Sequence, residues 1–290
     1  MVNNSAFGIL EDKILERSDE KNNIFDIYLG LGDLKSKLTP SFGEVLKYTL
    51  ATSVILEQQG MLESYFHIGG GATLLHIANT IGIENISSWR GTHDMDIIVT
   101  NYGVRGALES FFSEYEEYNS SSIKNKKKIE IKDPTAKDKV QLDLYLPTKN
   151  QKNINIDGTI ISSRMLKELK TINVLGIKTR VPKLHDLLAM KINISTEETG
   201  LPRSKDMSDI INLIGCIERN QDIKEKYNTN EDLASYLYNK MYFNNSLMPE
   251  RLYKIIDNSK KHKLDYIISA PSLNLINKYK TIVEENRDED

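Results

Sequence analysis

Apolar residues recur along this chain with two different periods, and the change of period divides it. After Pro40-Ser41, Leu46, Leu50 and Val54 return every four residues, which predicts a helix with one buried face that Gln58-Gln59-Gly60 ends. Ser41 and Glu44 have the spacing of a capping box at its start. Tyr65-Phe66-His67-Ile68 reads as a short strand, and Gly69-Gly70-Gly71 opens the next helix. There Leu74, Ile77, Ala78 and Ile81 share one face, and Gly82 closes the element. The β-branched run 96–100 predicts a second strand, 105–118 a helix, and 119–128 a polar, basic loop. Two-residue alternation returns in 128–133 and 140–146, which pair as an antiparallel hairpin across 134–139, and again in 171–181 around Gly176. After Pro182 the helical period takes over: 183–193, 205–219, 231–243, 249–258 and 271–285. The pattern predicts an α+β protein with an N-terminal helical segment over 1–60, a sheet-containing core over 61–182 and a helical C-terminal lobe over 183–290.

Composition narrows the function classes. Of 290 residues, 39% are apolar and 27% charged, which excludes a fully disordered chain. The net charge of −3 gives no global pull toward nucleic acid or anionic membrane, so any RNA site must be a local basic patch. Lys124, Lys126, Lys127 and Lys128 form one candidate, and Lys260, Lys261 and Lys263 another, against the commoner reading of solvated loops. Cys216 is the single cysteine, so neither an internal disulfide nor a cysteine zinc cluster can form. No apolar run reaches the roughly 20 residues of a membrane span, and the N-terminus has no secretory pattern. A cytoplasmic location with no membrane partner is the expectation.

The chemistry concentrates in a few places. Asp94 and Asp96, two apart in a strand, project to one face and repel unless a cation neutralises them. Oxygen-only ligands of this kind suit Mg²⁺, which takes one or two carboxylates together with substrate phosphates. Asp143 lies on the polar face of a strand that can neighbour the first. A lone Asp-x-Asp is also the mark of an ordinary solvated strand edge. Gly69, Gly70 and Gly71 let a backbone approach a ligand at the free N–H groups of a helix start, a ready phosphate site, although a bare tight turn needs the same residues. Asp94 follows Gly71 by 23 residues, an interval that fits one helix and a return to the sheet. Lys191 shares the apolar face of Leu184 and Leu187, so it either snorkels out or enters a polar cleft. Arg203, Lys205, Asp206 and Asp209 gather at the start of the next helix, where acids also serve as ordinary caps.

Taken in order, these segments resemble the nucleotidyltransferase superfamily, in its AbiEii toxin-like, MenT-like branch. The matching motifs are Gly69-Gly70-Gly71-Ala72, then Arg90-Gly-Thr92-His-Asp94-Met-Asp96, the later strand acid Asp143, Leu187-Leu-Ala189-Met-Lys191, and Arg203-Ser-Lys205-Asp206-Met-Ser-Asp209. They span 66–214, about half of the chain. The resemblance implies a nucleotidyltransferase-like mixed β-sheet with flanking helices and a helical C-terminal lobe, the active site lying between them. It implies transfer of a nucleoside monophosphate from an NTP to an acceptor hydroxyl, with Mg²⁺, or Mn²⁺ in its place, held by Asp94, Asp96 and Asp143. Lys191, Asp206 and Asp209 count among the catalytic side chains, Asp206 orienting Lys191 or Lys205. Gly69, Gly70, Gly71, Thr73, Arg90, Thr92, Lys191, Arg203 and Lys205 surround the nucleotide. One departure is a third glycine where many members carry serine, so a hydroxyl contact to phosphate falls to Thr73 or is absent. The branch further implies an RNA acceptor such as a tRNA 3′ end and an antitoxin protein as partner. A small-molecule or protein acceptor, and a catalytically silent nucleotide-binding module, are the competing readings.

Overall fold

The helix predicted by four-residue apolar spacing spans Ser41–Gln58 (α1), with Leu46, Leu50 and Val54 all buried. The structure is a computed structural model that describes residues 41–86, 94–113, 119–123, 126–131, 140–145, 154–156, 159–195, 203–259 and 270–287. The chain divides into two compact units. The first runs through Ile154 and takes in Ser162–Pro182; the second comprises Asn155–Ile161 and the chain from Lys183 onward.

In the first unit, α1 is followed by β1 (Tyr65–Ile68), α2 (Gly69–Ile81), β2 (Asp94–Val99), α3 (Tyr102–Phe112), β3 (Asn119–Ile123), β4 (Lys126–Ile131) and β5 (Val140–Tyr145). The five strands form one mixed sheet in the order β1-β2-β5-β4-β3. β2 pairs in parallel with β5, while β1–β2, β4–β5 and β3–β4 are antiparallel. Alternation sorts the side chains. Met95, Ile97 and Val99 of β2 join Leu142 and Leu144 of β5 in a buried cluster with Val45 and Tyr48 of α1 and Val104, Leu108 and Phe112 of α3. Each fully buried aliphatic side chain there contributes about 1.5–3 kcal/mol over its exposed state. The intervening residues therefore take the opposite face: Asp94 and Asp96 from β2, and Gln141, Asp143 and Tyr145 from β5. The apolar pattern that builds the core thus also aims the acids away from it.

Where a loop is predicted over 119–128, the described residues 119–123 and 126–128 are instead β-structure. Asn119–Ile123 forms an edge strand whose partner, β4, begins at Lys126. Its Ser and Asn side chains carry no alternating apolar signal, because an edge strand is held by backbone pairing and is kept polar on purpose. The helix predicted over 105–118 begins three residues earlier, at Tyr102, and residues 114–118 lie outside the described residues. The hairpin around Gly176 forms as expected from β8 (Lys170–Val174) and β9 (Ile177–Val181), after the two-stranded ribbon β6 (Ile154–Ile156) and β7 (Thr159–Ile161) and the short α4 (Ser163–Lys167). Leu175 and Gly176 both have positive φ, 51° and 77°, as a two-residue turn matched to strand twist requires.

The second unit is mainly helical: α5 (Leu184–Ser195), α6 (Ser204–Arg219), α7 (Gln221–Lys224), α8 (Asn230–Asn244), α9 (Met248–Ser259) and α10 (Leu273–Arg287). α5 packs on α6, and α8 on α10. Among the described residues no helix is long and apolar enough to cross a membrane.

Two histidines that flank or enter α2 are structural. His67 is buried with Nε2 3.3 Å from the Ser53 hydroxyl, and burial holds its pKa down at about 3. His76 donates its Nε2–H to the Pro182 carbonyl at 2.8 Å; burial lowers its pKa to about 4, against the raising effect of that bond. Both are neutral in the folded state, whereas an unfolded imidazole binds its proton near the ordinary value of 6.5. Stability is therefore complete above that value and falls as the pH drops below it. The expected slope is up to about 2.7 kcal/mol per pH unit for two protons between about pH 6 and pH 4.5. Urea unfolding across that range should show this decline, and replacing both residues by glutamine should flatten it.

Candidate active site

The junction of β1 and α2 fixes the geometry of the acidic face. Gly69 has φ of +65°, and a side chain on it would overlap the Oδ2 atom of Asp96. The Asp96 carboxylate is thus packed on the backbone at the start of α2. That helix has no side-chain cap and no acidic residue in its first turn. Its N-terminal N–H groups and positive dipole end favour the anion beside them. Tyr145 on β5 donates its hydroxyl to Asp96 Oδ1 at 3.3 Å. Asp94 stands two residues earlier on the same strand face, half-buried like Asp96. Gly70 and Gly71 are buried within the first turn, and a Cβ at Gly71 would meet only Thr49 Oγ1, at 3.9 Å. Of the three glycines described in α2, Gly69 is the one whose conformation excludes a side chain. Thr73 is fully buried, and its hydroxyl donates to the Gly69 carbonyl at 3.1 Å.

Asp143 is on the polar face of a strand next to β2, as the alternation predicts, and the parallel register sets it directly opposite Asp96. Its surroundings were not legible in the sequence. It is 3% exposed, its Oδ2 is 2.5 Å from Lys126 Nζ, and its Oδ1 accepts from Gln141 Nε2 at 2.8 Å. Lys126 also stands 5.1 Å from the centre of the Tyr145 ring. The neighbouring lysines are paired in turn, Lys127 with Glu109 at 3.1 Å and Lys128 with Glu130 at 3.0 Å. Because they sit on a strand, Lys126 and Lys128 face opposite Lys127. The run is thus not one uncompensated basic patch. Lys126 was hidden as a site residue by its reading as loop. The signal that finds it is the hairpin register, which brings β4 alongside Asp143.

The two half-buried carboxylates on one strand face suit a single hard divalent cation with open positions for substrate oxygens. Among the described residues no group of three or more acids, histidines or cysteines gathers as a metal site.

The second unit brings together a separate set. Lys191 on α5 is 6% exposed; its Nζ lies 2.6 Å from Asp209 Oδ2 and 3.9 Å from Asp206 Oδ1, both on α6. Asp206 in turn accepts from Arg203 Nε at 2.6 Å. The inward lysine therefore enters a buried acidic cluster rather than snorkelling, and Asp209 lies nearer to it than Asp206, the residue expected to orient Lys191 or Lys205. Lys205 is exposed. Arg90, Thr92, His93, Trp89, Lys124 and 260–263 lie outside the described residues.

No family model matches the chain, and no curated protein matches it. Among solved structures, the chain is similar to an antigenic nucleotidyltransferase-like protein from Paracoccidioides brasiliensis, with a TM-score of 0.41 and 16% identity over 73% of this chain and 93% of that one. It is also similar to JHP933 from Helicobacter pylori, with a TM-score of 0.42 and 14% identity over 85% and 92% of the two chains. Both likenesses are too remote to transfer an activity.

Two stability measurements probe this geometry. Gly69→Ala should destabilise the chain by roughly 1–3 kcal/mol, since it combines a left-handed backbone with a clash on a carboxylate. Lys191→Met should cost about 3–5 kcal/mol, because it removes the cation 2.6 Å from the fully buried Asp209 carboxylate. Lys191→Met/Asp209→Asn should recover most of that loss in the same urea titrations.

Proposed function

We propose that the chain is a nucleotidyltransferase that moves a nucleoside monophosphate from an NTP to an acceptor hydroxyl and releases pyrophosphate. The observation that carries this reading is the seat of Asp96: a carboxylate packed on the glycine-built start of α2, with Asp94 beside it on the same face. This combination offers a cation site and a phosphate site in direct contact. Asp94 and Asp96 would hold Mg²⁺, which when bound would supply Lewis-acid charge to the phosphates and lower the pKa of the acceptor hydroxyl. The chain's own groups do the rest. The leading N–H groups of α2 would donate to phosphate oxygens. The Tyr145 hydroxyl holds one oxygen of Asp96 and so fixes how the other is presented. The roles that the resemblance gives Lys191, Asp206 and Asp209 remain part of this reading.

For the acceptor we infer an RNA 3′ hydroxyl, that of a tRNA, with the chain acting as a toxin restrained by an antitoxin protein. The order of five motifs supports it. A second reading, with a small molecule or protein as acceptor, is favoured by the ion pairing of Lys126, Lys127 and Lys128, which leaves little positive charge for RNA on that strand.

Incubation with Mg²⁺ and each α-labelled NTP, with total tRNA and separately with total protein, tests the reading. Label should enter tRNA from one preferred NTP. Asp94→Asn/Asp96→Asn should reduce it by roughly 10³-fold, as the loss of several kcal/mol of charge stabilisation demands. Label on protein instead would keep the chemistry and overturn the acceptor, and NTP binding with no transfer would leave a silent module.

A further inference from the structure

Three acids on adjacent strands face the same side of the sheet, yet they are not equivalent. Asp94 and Asp96 are half-buried, whereas Asp143 is almost wholly buried. Lys126 Nζ takes its Oδ2 at 2.5 Å, and the Gln141 amide takes its Oδ1 at 2.8 Å. A carboxylate with an ammonium on one oxygen and an amide on the other is a weakened metal ligand, because the ammonium group offsets its charge and repels a second cation. The lysine is itself well placed. It lies across the antiparallel ladder from Tyr145, its ammonium 5.1 Å from that ring's centre, and the Tyr145 hydroxyl reaches Asp96 Oδ1. Asp96, Tyr145, Lys126 and Asp143 are therefore linked around one corner of the acidic face.

We propose that Lys126 is the built-in second cation of this site: it neutralises Asp143 permanently, so that the chain takes one divalent ion, on Asp94 and Asp96, rather than two bridged by all three acids. Lys126 is in this sense a positioning residue. It holds Asp143 as a fixed neutral pair beside the ion. The proposal rests on the reading of Asp94 and Asp96 as the cation pair.

Counting Mn²⁺ bound to the full chain, by electron paramagnetic resonance of the free ion, tests it. The unaltered chain should bind one ion, lost in Asp94→Asn/Asp96→Asn. The charge-balanced Lys126→Met/Asp143→Asn should still bind one, with Kd changed by less than about threefold, whereas loss of a true ligand or its support costs about 10–100-fold. Lys126→Met alone should expose Asp143 and add a second ion or tighten the first about tenfold. If that variant fails to fold, the balanced pair decides alone. Two ions on the unaltered chain, or loss of the ion in the balanced pair, would overturn the proposal while leaving the cation reading intact. No ion on the unaltered chain would overturn both.

Discussion

The first unit depends on a close approach between a backbone and a carboxylate. Asp96 sits on Gly69, and nothing larger than hydrogen fits between them. This contact sets where β2 lies against the start of α2, and so where Asp94 stands. It needs the left-handed turn at Gly69, and it needs Asp96 held on the sheet face opposite the apolar cluster. The dipole end of the uncapped helix offsets the charge of the acid brought against it. The acidic group is seated by main-chain atoms and a strand rather than by a loop, the kind of support that preorganises a side chain.

Charge is handled differently in the two units. In the first, two acids remain half-buried while the third is matched by Lys126. In the second, Lys191, Asp206, Asp209 and Arg203 form a chain of alternating sign across α5 and α6. Burying Asp209 is tolerable because Lys191 lies beside it, and burying Lys191 is tolerable for the same reason. Neither could be kept alone in so dry a setting.

Much of this was legible in the residues. The spacing of Leu46, Leu50 and Val54 fixed a helix, and the alternation around Asp143 placed that acid on the strand face it occupies, opposite Asp96. Those inferences work because burial imposes a period on the chain. The β3 strand was not legible, since an edge strand buries little and Asn119, Ser120, Ser121 and Ser122 carry no period at all. The partner of Asp143 was missed for the same reason: with β3 read as loop, Lys126 looked like one of a run of surface charges. Ion pairs depend on register between strands, and sequence spacing within one strand does not reveal it. The preference of Lys191 for Asp209 over Asp206 is likewise a matter of how α5 and α6 pack, about which each helix taken alone is silent.

The strand order has a consequence for how the acidic face is assembled as the chain folds. β5 lies between β2 and β4, yet its two neighbours are at very different distances along the sequence. The β4–β5 hairpin closes over a short connection, whereas the parallel β2–β5 pairing must bridge α3 and the whole β3–β4 ribbon. Short closures cost less chain entropy and come first, and parallel pairings of distant segments are slow. Chain entropy therefore favours pairing Asp143 with Lys126 ahead of pairing it with Asp96. The acid at the centre of the sheet is thus matched with its lysine inside a local hairpin, and the longest-range pairing is what completes the acidic face.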